Sequence, residues 1–159
     1  MAEPTPASTR PRDAAIGTGA GRVLLLVYGI FAVSASARAG VQIATKFTEA
    51  PLAFLLSAFA ALVYIAATVG LAIGGTRGRL IALTSCSIEL VGVLVVGTLS
   101  LLDPAAFPDE TVWSAYGRGY FFVPLVLPVL GLALLLRRQK SPPPKSPPKS
   151  PPPKSPPSP

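Results

Sequence analysis

From residue 23 to residue 136 the chain repeats one pattern, a long apolar run followed by a short polar interruption. The runs cover 23–45, 51–74, 80–102 and 119–136. A helix crossing a hydrocarbon layer of about 30 Å needs about 20 apolar residues. The first three runs reach that length and the fourth falls slightly short. A helix of a soluble bundle would carry a polar stripe along one side, and these runs have none. The pattern predicts an all-α, polytopic membrane protein, a bundle of four transmembrane helices within residues 22–138. Pro51 suits the first turn of the second helix. Pro124 and Pro128, one turn apart, predict a kink or a re-formed start in the fourth.

The flanks read differently. Residues 1–21 are rich in Pro, Ala, Gly, Ser and Thr without an apolar period, and are expected to be disordered. Residues 139–159 form a Lys/Ser/Pro-rich tail, and its last 19 residues hold 11 prolines and no hydrophobic side chain. That composition predicts an extended, disordered, proline-rich tail. Its P-x-x-P spacing would suit a cytoplasmic polyproline-binding partner, and its lysines would equally suit an anionic lipid surface.

Charge adds orientation. Only 13% of residues are charged, against about 25% in soluble proteins, and the net charge is +7. In a soluble chain that excess would suggest nucleic acid; here its location decides otherwise. If four helices alternate, Arg10, Arg12, Arg22, Arg77, Arg79, Arg137, Arg138 and four lysines of the tail fall on one side. The other side holds Lys46 and Arg118 against Glu49, Asp103, Asp109 and Glu110. Basic flanks stay cytoplasmic, which predicts a multi-pass protein of the cell (inner or plasma) membrane with both termini cytoplasmic. The lipid bilayer is then the partner, and nucleic acid is not. The GTRGR stretch, 75–79, becomes a cytoplasmic turn against anionic lipid. DPAAFPDE, 103–110, becomes a solvated outer loop. Trp113, Tyr116, Tyr120, Phe121 and Phe122 become an interfacial aromatic belt. A rival reading makes Val23–Val33 followed by SASARAG a cleavable signal. The return of apolar residues at Val41–Ala44 and the long lead before the run favour an uncleaved helix.

Candidate chemistry is sparse. The chain has no His and one cysteine, Cys86, which rules out an intramolecular disulfide and a cysteine metal site. No nucleophile–base pairing, metal-ligand cluster or cofactor motif is present. The reading is therefore not an enzyme, with no catalytic residues, no cofactor and no metal. What remains is a pair of charges inside the spans, Arg38 and Glu89. A charge at mid-bilayer costs about 2.5–3.5 kcal/mol on insertion scales, so such residues face a bundle interior and have partners. Both helices run outward, and their side chains lean back toward the cytoplasm, which brings Arg38 toward the level of Glu89. Helical spacing lines up Ser34, Arg38 and Gln42 on the first helix. It does the same for Ser57, Ala61, Tyr64 and Thr68 on the second, and for Ser85, Glu89 and Gly92 on the third. The candidate membrane-embedded polar site is thus Glu89, Arg38, Gln42 and Tyr64. Gly70-x-x-x-Gly74 adds a small-residue helix contact.

Three functions fit these features. The first is a non-enzymatic accessory or structural membrane protein, a candidate homo-oligomer, in which the Arg38–Glu89 pair fixes helix register. The second is a small transporter or channel-like unit in which that pair works. The third is a membrane-anchored adaptor that displays the proline-rich tail.

The stretches ARAGVQIATKFTEAPLAFLLSAFAALVYIAATV, ELVGVLVVGTLSLLDPAAFPDETVWSAYGRGY and FVPLVLPVLGL resemble uncharacterised small four-span integral membrane proteins of actinobacteria. The resemblance covers roughly residues 22–136 and implies an inner-membrane, four-helix protein. It implies no activity and no functional residues.

Overall fold

The computed structural model describes residues 19–137. The expected tails lie outside that range, except that residues 19–21 already belong to the first helix. Four helices follow one another: α1, Gly19–Lys46; α2, Pro51–Ile73; α3, Gly75–Leu102; and α4, Val123–Arg137. No strand occurs among the described residues. At about 1.5 Å per residue, α1 and α3 are about 42 Å long and α2 about 34 Å. These three are long and apolar enough to cross a membrane. The fourth has only 15 residues, about 22 Å. It makes a fourth span only together with the 3-10 segment Ser114–Tyr120, which meets it at 99°.

Neighbouring helices pack in chain order, α1 on α2, α2 on α3 and α3 on α4, and α1 meets α4 narrowly. The α2–α3 joint is a single residue, Gly74, with φ 64° and ψ −160°, a conformation reached easily only without a Cβ. Its tightness depends on two further glycines. A Cβ on Gly78 would stand 2.5 Å from the Gly70 carbonyl oxygen, and one on Gly70 would stand 2.7 Å from the Ala82 nitrogen. The small-residue contact therefore runs across the hairpin, from Gly70 to Gly78, and Gly74 serves as the turn. Arg79, in the first turn of α3, reaches across to α4. Its Nε and Nη2 donate to the Leu135 carbonyl at 3.2 and 3.0 Å, satisfying an acceptor that the end of a helix leaves open.

Residues 103–110, read from the sequence as a solvated loop, are mostly exposed, but residues 111–122 do not continue as a loop. After a short 3-10 turn, Pro104–Ala106, capped by the Asp103 carboxylate, the chain folds back along α3. Tyr116 lies on Gly97 and hydrogen-bonds Thr98, and Trp113 lies deeper, on Gly92. The descent leaves few backbone groups stranded. The Thr111 N–H donates to Ser114 Oγ at 2.9 Å, the Trp113 N–H to Thr111 Oγ1 at 3.1 Å and the Ala115 N–H to Ser100 Oγ at 2.8 Å. Irregular backbone at membrane depth is tolerated when protein groups satisfy it in this way. The cost is conformational. Ala115 and Tyr116 are left-handed, at φ 46° and 60°, about 1–2 kcal/mol each for a residue with a Cβ. Gly117 completes the turn at φ 79°, tight against Pro124.

The aromatic belt is corrected accordingly. Trp113 is 1% exposed and belongs to the interior, because Gly92 leaves a ring-sized space beside α3. Phe121 and Phe122 remain outside, at the left-handed corner where α4 begins.

Candidate functional site

Glu89 lies near the middle of α3 and is fully buried. Its partners come from three other segments. From α1, the Tyr28 hydroxyl donates to Glu89 Oε2 at 2.7 Å. From α2, the Tyr64 hydroxyl faces the same carboxyl. From the folded-back segment, Trp113 Nε1 donates to Tyr64 Oη at 3.2 Å. Cys86, one turn before Glu89 on α3, has its Sγ 3.2 Å from Tyr28 Oη. α4 closes the cluster at Gly131, where a Cβ would stand 2.8 Å from that sulfur.

The donors and acceptors fall into order. Tyr28 gives its only proton to the carboxyl, so the Cys86 thiol is the donor to Tyr28 Oη. Tyr64 accepts from the Trp113 indole, which leaves its own proton to point toward Glu89. Both routes converge on one carboxyl. Oε2 is satisfied, and Oε1 has no hydrogen-bond partner. Tyr28, Tyr64, Cys86 and Glu89 each have 0% of their surface exposed. Glu89, Tyr28 and Cys86 line none of the main clefts among the described residues.

Of the four residues singled out from the sequence, the structure brings Tyr64 and Glu89 together and sets Arg38 and Gln42 apart from them. Arg38 hydrogen-bonds the Tyr120 hydroxyl, donates from Nη2 to the Glu110 carbonyl at 2.9 Å and lies over the Tyr120 ring. The expected Arg38–Glu89 pair does not form. The reason is register. Tyr28, not Arg38, is level with Glu89, and the ten-residue step from Tyr28 to Arg38 along α1 spans about 15 Å. The buried stripe of α1 is Leu24, Tyr28, Ala32, Ala35 and Ala39, so the Ser34–Arg38–Gln42 seam is rotated away from the centre. Gln42 is half-buried, with an Oε1 that lacks a partner of its own. The seams of α2 and α3 do turn inward: Ser57, Ala61, Tyr64, Ser85 and Glu89 are all buried.

Tyr28, Cys86 and Trp113 are the members that sequence reasoning missed. A signal for Tyr28 was available, since small residues at positions 32, 35 and 39 continue its face at helical spacing. Trp113 carried no such signal, because its position depends on the fold of residues 103–122. Comparison of the chain with protein-family models, with curated proteins and with solved structures gives no match.

Proposed function

We propose that this chain is a multi-pass protein of the cell membrane with four spans, both termini cytoplasmic, and a non-enzymatic structural or accessory role. The bent pair formed by Ser114–Tyr120 and α4 counts as the fourth span. The basic residues at the two ends support the orientation. The observation that carries the functional reading is the closure of the Glu89 cluster. Apart from Glu89 Oε1, its polar atoms are used on one another, from α1, α2, α3 and the folded-back segment, and of its members only Trp113 lines one of the main clefts. Such an arrangement fixes the register of helices that have no hydrophobic driving force between them in lipid. Tyr28, Cys86 and the Glu89 carboxyl line none of those clefts.

A second reading rests on one atom. Oε1 of Glu89 is buried without a partner, and an intramembrane carboxyl with an open oxygen is also what a small transporter or channel-like unit would use to take up a proton or cation. In that version Tyr28 and Tyr64, rather than Arg38, assist it. The adaptor reading depends on the proline-rich tail, which lies outside the described residues.

Purified protein in liposomes with an internal pH-sensitive dye separates the first two. The structural reading expects proton leak equal to that of protein-free liposomes, and a lower Tm in detergent for both Glu89→Gln and Tyr28→Phe. A proton flux that Glu89→Gln abolishes without changing the Tm refutes it.

A further inference from the structure

At the end of the molecule where α1 and α3 begin and α2 and α4 finish, the helices do not close. A cleft of about 200 Å³ opens there, walled by Leu24, Leu71, Leu134 and Leu135, floored by Gly74 and flanked by Arg79. Its wall is apolar and its mouth is basic. Arg22 follows a residue of the cleft in α1, Arg77 stands in the first turn of α3 just after Gly74 and Gly75, and Arg137 lies two residues beyond Leu135. All three are exposed. Among the described residues, no carboxylate belongs to this end. Glu49, Asp103, Asp109 and Glu110 lie at the opposite end, and Glu89 lies in the middle.

We infer that this cleft binds one anionic phospholipid, with its phosphate on the arginines and the start of an acyl chain between Leu24, Leu71 and Leu134. The inference rests on the reading of the chain as a membrane protein. Guanidinium groups take phosphate oxygens in two-point hydrogen bonds, and the apolar wall meets the part of a lipid that begins just below its phosphate. Arg79 is held by the Leu135 carbonyl through two of its nitrogens, which orders the side chain before any lipid arrives and lowers the entropic cost of binding. The same contact ties the site to the end of α4. A bound lipid therefore joins α1, the α2–α3 turn and α4 at the basic end of the molecule. Its role there parallels that of the Glu89 cluster at mid-depth.

The full-length chain, purified in detergent, tests the inference by native mass spectrometry with phosphatidylglycerol and phosphatidylcholine of the same acyl chains. The expected result is one tightly held phosphatidylglycerol, retained at least about tenfold better than phosphatidylcholine, a factor that corresponds to about 1.4 kcal/mol. The exposed double variant Arg77→Gln/Arg137→Gln, which touches no helix contact, should remove that preference. Leu71→Trp, which fills the cleft, should remove the tightly held lipid while the helical circular dichroism stays unchanged. Equal retention of the two lipids overturns the inference. So does a preference that survives Leu71→Trp, since the arginines would then be collecting lipid at the surface without the cleft. Release of the chain from membranes by alkaline wash would be a different failure, that of the membrane reading itself.

Discussion

Tyr28 does for Glu89 what an arginine was expected to do. A neutral hydroxyl brings no second charge into the interior and still satisfies one carboxyl oxygen, avoiding the desolvation of an ion pair. Two double-mutant cycles distinguish the alternatives. Tyr28→Phe combined with Glu89→Gln should show a coupling energy of about 0.5–3 kcal/mol in unfolding free energy, as groups in contact do. Arg38→Gln combined with Glu89→Gln should be additive within about 0.5 kcal/mol, because the two are not neighbours. The other residue that defines the interior, Trp113, is the only tryptophan of the chain and so reports on itself. A Cβ on Gly92 would stand 2.5 Å from its ring. Gly92→Ala should push the indole out, shift its emission to the red and lower stability by about 1–3 kcal/mol, the usual range for overpacking.

At the scale of elements, the α2–α3 hairpin and the folded-back segment depend on different physics. The hairpin depends on absent side chains: Gly70 and Gly78 let two backbones touch where any Cβ would collide. Gly78→Val should therefore split α2 from α3 at the turn, seen as a fall in Tm and as loss of the Arg79 cap on α4. The folded-back segment depends on polar groups that replace a missing ladder of hydrogen bonds, chiefly Thr111, Ser114 and Ser100. Left-handed turns at Ala115 and Tyr116 persist because the Ser100 bond, the Thr98–Tyr116 bond and the seat on Gly97 hold both sides of the turn. α4 alone is too short to span a bilayer, and only together with Ser114–Tyr120, which meets it at 99°, is it long and apolar enough. The two prolines of α4 are both buried, Pro124 in its first turn and Pro128 in its interior. The sharp bend lies before them, at Phe121 and Phe122.

At the scale of the molecule, charge and polarity are sorted along the bundle axis. Arg22, Arg77, Arg79 and Arg137 occupy the end where α1 begins, the acids of residues 103–110 occupy the other together with Arg118 and Arg38, and a single carboxyl lies between. If both tails are cytoplasmic, reporters fused at either terminus should be active only in a cytoplasm-dependent form, such as green fluorescent protein, and inactive as periplasmic phosphatase. A phosphatase fusion after Asp109 should give the reverse. Active phosphatase at either terminus would count against the four-span topology. The closed centre and the open basic end also divide the molecule. The Glu89 cluster is held by its own members, whereas the cleft at the basic end is lined by Leu24, Leu71, Leu134, Leu135 and Arg79.

What the sequence determined by itself was the material of the fold. The apolar runs, their lengths and the absence of polar faces determined three helices long enough for a bilayer, and the inward turn of Ser57, Tyr64, Ser85 and Glu89 was legible from helical spacing. These properties are local, set by composition and by a period of 3.6 residues. Which residue answers Glu89 was not local. It depends on the axial register and rotation of α1 against α3, and helices without a polar face carry little sequence signal for either. Tyr28 and Arg38 both lie on α1, and only packing of Ala32, Ala35 and Ala39 against the interior selects the face that holds Tyr28. The insertion of Trp113 likewise required tertiary structure. A segment rich in prolines, acids and aromatic residues reads as an outer loop until a glycine on a neighbouring helix offers its ring a place inside.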